Sequence, residues 1–349
     1  MKRKNIALYA AVLAILLALM FLQFRTWRNF DWATFWSQTG HVNKLKILFG
    51  IALIYVAYIF RALRWRIFLR PVRWTTTTAE LINPTIVGFT GLALLGRAGE
   101  LIRPYLIARK VNLSFSSQLA VWAVERIFDV GAFAILLISA IFFARAPREL
   151  AYHGRFRDGG FFIIGLVVAL IAGAFLIAWK GDAVADWVER RFAHLASNFG
   201  HHVALRIREF RGGLNTIHNF TALIQLIAVS LGMWCMIAIA YWEVMLSYGE
   251  VSLRRPLTDV PLLMATSMVG SMIQLPGVGG GSQLATIGTL QYVFLASHEL
   301  AASCGILLWL VTFVSIVPPG LILAHRERLS LRRLSDESHL EEEDESMRA

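Results

Sequence analysis

The sequence predicts an all-α polytopic membrane protein, with six full spans plus two re-entrant helical hairpins, or about eight spans, in an inverted repeat. Three observations carry this. Charged residues make up only 16% of the 349 and hydrophobic residues 57%, with a mean hydropathy of +0.58; a soluble domain carries about 25% charge. Six apolar runs are long enough for a hydrocarbon core of about 30 Å, which needs about 20 helical residues. Lys and Arg gather in short segments between those runs, the pattern that fixes membrane orientation. The composition excludes a soluble enzyme, a disordered chain and a coiled coil.

The first run, 6–24, follows the basic start Met1-Lys2-Arg3-Lys4 and ends in Gln23-Phe24-Arg25 without a small-residue cleavage site. It reads as a retained anchor rather than a signal peptide. The other runs are 45–66, 117–144, 161–179, 220–247 and 300–324. Two further stretches are apolar but broken. Segments 81–96 and 101–108 flank Arg97-Ala98-Gly99-Glu100, and segments 261–275 and 284–296 flank Pro276-Gly277-Val278-Gly279-Gly280-Gly281-Ser282-Gln283. Short arms around a Gly-rich break read as re-entrant hairpins, tolerated in a membrane where protein or a wet cavity covers the free backbone groups. The alternative is that some arms are complete spans.

With a cytoplasmic N-terminus and hairpins returning to their own side, the cytoplasmic segments hold 22 Lys and Arg and the outer ones 9. The bias obeys the positive-inside rule. The segment 61–73, with Arg61, Arg64, Arg66, Arg70 and Arg73 and no acid, counts as one of these cytoplasmic segments. The order span, span, hairpin, span occupies 6–144 and recurs in 161–324, entering from the opposite face. This divides the chain into a first membrane repeat, 1–144 with hairpin 81–108, and a second, 145–325 with hairpin 261–296. Between them, 183–211 has apolar residues at three- and four-residue steps and reads as an interfacial amphipathic helix or a solvated helix packed on the bundle. Residues 326–349 read as a disordered cytoplasmic tail, basic and then acidic.

The net charge of +11 conceals seven acids within residues 335–349. The basic residues form no stripe with base-stacking aromatics apart from the membrane segments, so nucleic acid is not an expected partner. Cys235 and Cys304 both lie in apolar runs and form neither a disulfide framework nor a metal-ligand spacing. No cofactor or metal is expected, and no Walker-type loop or Ser-His-Asp set is present.

Charge inside a membrane helix costs at least about 2.5–3.5 kcal/mol at the bilayer centre, so each such residue is a functional candidate. Glu125, Arg126 and Asp129 have i,i+3 and i,i+4 spacing and can meet on one side of a helix, as a functional site or as a structural ion pair. Arg97, Glu100 and Arg103 flank the first break. Guanidinium forks beside free backbone N–H groups suit a phosphate, and arginines at a helix end also snorkel. Gln274, Gly277, Gly280, Ser282 and Gln283 surround the second break, where glycines allow close approach of ligand or helix. Glu243 lies near the outer end of its run, as an ion ligand or an interfacial residue.

Gly96-Arg97-Ala98-Gly99-Glu100-Leu101-Ile102-Arg103-Pro104-Tyr105, then Glu125-Arg126 with Asp129, then Pro276-Gly277-Val278-Gly279-Gly280, resemble the lysylphosphatidylglycerol synthase transmembrane-region family over about residues 6–325. The resemblance implies a flippase-like translocation module for lipids, in a bacterial inner membrane with both termini cytoplasmic. It also implies that Arg97, Glu100, Arg103, Glu125, Arg126 and Asp129 matter. The chain departs from the family in two ways. It has an acidic tail where the synthase domain would stand, and Gln283, which cannot titrate, where a glutamate is expected after the Gly-rich turn. The expected function is therefore translocation of a phospholipid or lipid-linked anionic substrate. The alternatives are an integral-membrane transferase acting on lipid-linked substrates, with Glu100, Glu125 and Asp129 as base or ligands, and a small-solute transporter. Anionic phospholipid headgroups are the expected partners, with a second copy or a separate lipid-synthesising protein as further candidates.

Overall fold

A computed structural model describes residues 31–143, 165, 220–271, 274–275 and 279–326. The runs 6–24 and 161–179, the amphipathic stretch 183–211 and the tail after 326 lie outside the described residues. The rest is helical apart from one two-residue strand pair, Gln274–Leu275 with Gly279–Gly280, antiparallel across the second break.

Helix α1 (Trp32–Gly40) starts at Asp31, whose carboxylate accepts from the Thr34 N–H at 3.1 Å. Asn43 caps α2 (Lys44–Leu69) the same way, accepting from Leu45 and Lys46. Short polar side chains at these positions satisfy N–H groups that have no partner within the helix. Helix α3 (Thr78–Leu95) opens with a capping box between Thr77 and Glu80. A 3₁₀ segment (Gly96–Leu101) then leads into α4 (Ile102–Val111), which ends at Asn112 in the left-handed region. Helix α5 covers Phe115–Phe143 and α6 Phe220–Leu246. Helices α7 (Val260–Gly270) and α8 (Gly281–Tyr292) flank the strand pair, and Ser297 caps α9 (His298–Trp309).

The last span is not a uniform α-helix. A π-helical stretch (Leu310–Val314) separates α9 from α10 (Val317–Arg326). Pro318 and Pro319 carry no N–H, so carbonyls one turn earlier lose their helical donors. The Tyr55 hydroxyl, from a distant helix, donates to the Ser315 carbonyl at 2.8 Å, and the Thr90 hydroxyl, shared with the Ile86 carbonyl at 2.9 Å, reaches at 3.2 Å the Ile316 carbonyl that also accepts from the Gly320 N–H.

Among the described residues, four helices are long and apolar enough to cross a membrane: α2, α3, α6 and the stretch His298–Arg326. Three of them match the runs read from the sequence. The fourth, α3, is the first arm of the hairpin 81–108 and has the length that the alternative of complete spans requires. The capping box starts it at Thr78, and its 18 residues reach about 27 Å at 1.5 Å per residue. The arms α4, α7 and α8 have 10, 11 and 12 residues and are short. A correction concerns 61–73. Helix α2 continues to Leu69, so Arg61, Arg64 and Arg66 stand on the helix and not in a loop.

Helices α2 and α6 run antiparallel along the centre. Lys46 bonds Glu243 at 2.8 Å near one end, and Arg70 bonds Gln225 at 2.7 Å near the other. Their packed core includes Phe133 of α5 against Trp234 of α6, with ring centroids 4.9 Å apart. Around this pair α10 packs on α3, and α5 packs on α7. The element order α2, α3/α4, α5 recurs as α6, α7/α8, α9/α10. Exchanging the two sets maps the α5–α7 contact onto the α10–α3 contact. The two breaks also meet, because strand Gln274–Leu275 lies beside the 3₁₀ segment.

Candidate functional site

The site lies where α2, the first hairpin, α5 and α6 come together. Close backbone packing makes it possible. The 3₁₀ segment crosses α3 so tightly that a Cβ on Gly99 would lie 2.2 Å from the Gly91 carbonyl oxygen, and one on Gly88 would lie 2.4 Å from Cβ of Arg103. Glycine at these two points lets α4 deliver the Arg103 side chain into the bundle.

Glu125, on α5, is fully buried. Arg64 Nη2 donates to its Oε1 at 2.5 Å, and Arg103 donates to both of its oxygens, with Nη1 at 3.1 Å from Oε1. Arg64, 0% exposed, also donates to Asp129 Oδ1 at 2.7 Å and to the Ser230 hydroxyl of α6 at 3.1 Å. One guanidinium thus joins α2, α5 and α6, using the forked donor geometry that distinguishes arginine from lysine. The Arg103 guanidinium lies over the rings of Trp65 and Phe89 at 4.4 and 5.1 Å, and that of Arg61 over Phe89 at 4.5 Å. Such stacking supports a cation withdrawn from water.

Arg126 differs. Its side chain is 40% exposed, with Nη2 3.3 Å from Asp129 and 3.7 Å from Glu125. With Glu100, Arg103, Phe89 and Trp122 it borders a small cavity of about 20 Å³. Among the described side chains, four guanidinium groups (Arg61, Arg64, Arg103, Arg126) therefore stand against three carboxylates (Glu100, Glu125, Asp129). Those side chains carry one surplus positive charge in a low-dielectric setting, where unpaired charge is costly and attraction for an anion is strong.

Of the residues singled out in the sequence, the structure brings Glu100, Arg103, Glu125, Arg126 and Asp129 together. Gly280, Ser282 and Gln283 lie at the start of α8, where the Gly280 N–H donates to the Gln283 side chain at 3.1 Å. The side chains of Arg97 and Gln274, and all of Gly277, lie outside the described residues. Glu243 pairs with Lys46 away from the cluster. Arg126 was the expected partner for the two acids. It does pair with Asp129, but Arg64 and Arg103 make the short bonds. Arg61 and Arg64 were missed, because a charge count assigned them to a loop. Their i,i+3 spacing without a nearby acid was the usable signal, since two arginines on one helix face require carboxylates from elsewhere.

Among the described residues no group of three or more His, Cys, Asp or Glu could hold a metal ion. Glu125 and Asp129 face guanidinium groups, whose charge they balance.

Comparison with known proteins fits this architecture. The family described as the lysylphosphatidylglycerol synthase TM region matches residues 7–320. A UPF0104 membrane protein of Methanothermobacter thermautotrophicus is 25% identical over 276 residues, covering 76% of this chain and 78% of that protein. No solved structure matches. With four helices of spanning length and a family match over most of its length, the chain is a membrane protein that belongs to the lysylphosphatidylglycerol synthase transmembrane-region family.

Proposed function

We propose that the chain translocates a lipid bearing an anionic headgroup across a bacterial inner membrane, with both termini in the cytoplasm. The carrying observation is the surplus positive charge of the described arginine cluster beside the first break. A phosphate there neutralises the surplus, while the acyl chains remain in the bilayer. On this reading the two hairpins are re-entrant and enter from opposite faces. The antiparallel α2–α6 pair and the reciprocal α5–α7 and α10–α3 contacts support an inverted repeat, whose substrate site belongs near the midplane between the repeats. Arg126, the exposed guanidinium, is the first contact for the phosphate. Arg64 and Arg103 hold Glu125 and shape the wall.

The geometry disfavours Glu125 as the base of a transferase: a general base needs a free oxygen facing substrate, and both oxygens of Glu125 already accept from arginine.

The test is transbilayer movement in proteoliposomes containing headgroup-labelled phosphatidylglycerol. With active protein, a membrane-impermeant quencher reaches label from both leaflets. Quenching limited to the outer leaflet, with protein shown to be folded, overturns the proposal.

A further inference from the structure

We propose that the second half carries a separate binding site for a neutral, hydroxyl-rich group of glycerol to sugar size. The site is the cavity of about 130 Å³ between α6, α7, α8 and the π-helical stretch. It is built from the elements that correspond, in order, to those around the arginine cavity: a hairpin and the helix that follows it. The chemistry is different. Where the first half places Glu100, Arg103 and Arg126, the second places Ser282, Gln283, Thr286 and Thr312. No charged side chain lines this cavity among the described residues.

The hydroxyls are already directed. Thr286 donates to the Ser282 carbonyl at 2.7 Å, Thr312 to that of Leu308 at 2.7 Å, and Ser271 to that of Met268 at 2.6 Å. A Ser or Thr hydroxyl has one proton and two lone pairs, so each offers its lone pairs to an occupant. The Tyr241 hydroxyl sits beside those of Ser267 and Thr312. The Gln283 carbonyl oxygen is engaged by the Gly280 N–H, leaving its N–H groups as donors. The wall thus offers acceptors from Ser271, Thr286 and Thr312 and donors from the Gln283 amide and the Ser282 hydroxyl, and Trp309 and Phe313 add flat apolar faces.

Such a wall selects a ligand that donates several hydrogen bonds. An anion has no cationic partner here. An ammonium or alkali ion has no carboxylate to balance it, and burying an unpaired charge is expensive. A neutral polyol satisfies both the acceptors and the absence of charge. The size agrees: a water needs about 10–15 Å³ measured this way, so the cavity of about 130 Å³ holds a group of several heavy atoms. This assignment concerns binding alone and stands whether or not the chain moves lipid.

The test uses the full chain with Ser282→Cys in a Cys235→Ser background, reconstituted in phosphatidylcholine nanodiscs. A thiol reagent labels the new cysteine. Adding monoglucosyl diacylglycerol slows labelling at least about tenfold, the effect of roughly 1.4 kcal/mol of binding, and diacylglycerol lacking a headgroup does not. Thr312→Val in the same background removes that protection while leaving the unprotected labelling rate unchanged, which also checks the fold. If Thr312→Val alters the unprotected rate, Gln283→Leu takes its place under the same criterion. Protection by free glucose equal to that by the glycolipid assigns the site to a soluble polyol, the same chemistry from another source. No protection by either, or equal protection by phosphatidylethanolamine or phosphatidic acid, overturns the proposal.

Discussion

Arg64 holds two carboxylates and a serine from two other helices, so its loss leaves Glu125 to Arg103 alone and Asp129 to the partly exposed Arg126. Breaking a buried pair by removing one partner costs about 3–5 kcal/mol, whereas replacing the whole set by apolar residues of similar volume is near neutral. Arg64→Leu is therefore expected to lower stability by about that amount in a denaturant titration in detergent. The quadruple variant Arg64→Leu, Arg103→Leu, Glu125→Leu, Asp129→Leu removes the buried set together and recovers most of it. That variant also separates structure from function: it folds, and on the proposed reading its lipid movement falls to background. Arg126→Gln removes a partly exposed charge whose pairs are worth about 1 kcal/mol or less to stability. It should slow translocation at least about tenfold, or roughly 1.4 kcal/mol of barrier, with little change in stability. At Asp31 the Thr34 hydrogen bonds hold the carboxyl below its ordinary range. Capping of α1 is then complete above the ordinary Asp pKa of about 3.9 and is lost as pH falls through the lower folded value. Hydrogen exchange at the α1 N-terminus reads this out.

At the scale of elements, hydropathy identified most helices because an apolar run of spanning length has few alternative structures. What it could not supply was the last turn of α2 and the role of the arginines that lead into it. Arg61, Arg64 and Arg66 look like a loop to any rule that counts charge, and only the carboxylates arriving on α5 explain a helix continuing through them. The start of α3 was legible in principle, since Thr77 and Glu80 have capping-box spacing, but an apolar-run criterion begins later. The π-helical stretch was not legible at all. Pro318 and Pro319 announce a break, yet the donors that stabilise it, Tyr55 and Thr90, lie more than two hundred residues earlier in the chain. Tyr55→Phe, which leaves the Ser315 carbonyl without that hydroxyl, should cost about 1 kcal/mol. Gly99→Val, which drives a side chain into the Gly91 carbonyl, should separate α3 from the 3₁₀ segment and abolish folded yield in size-exclusion chromatography.

For the whole molecule, the antiparallel α2–α6 pair fixes which ends share a face. The Asn43 N–H donates to the Ser247 carbonyl at 2.8 Å, so the segments before α2 and after α6 emerge together. Val251→Cys and Val72→Cys, both at exposed positions, should react with a membrane-impermeant thiol reagent from opposite sides in intact cells: Val251 from outside, Val72 only after permeabilisation. Labelling of both from one side would contradict the proposed orientation.

The reciprocal packing also constrains the order in which the protein can be made. The first hairpin leans on α10, which is the last described helix to leave the ribosome, and α7 leans on α5 from the opposite half. During synthesis α3 and its arginine-bearing companion must wait, inserted but incompletely covered, until nearly the whole chain has been translated. Neither half is a finished folding unit. Two polypeptides divided between α5 and α6 should accumulate only when produced together, each completing the other.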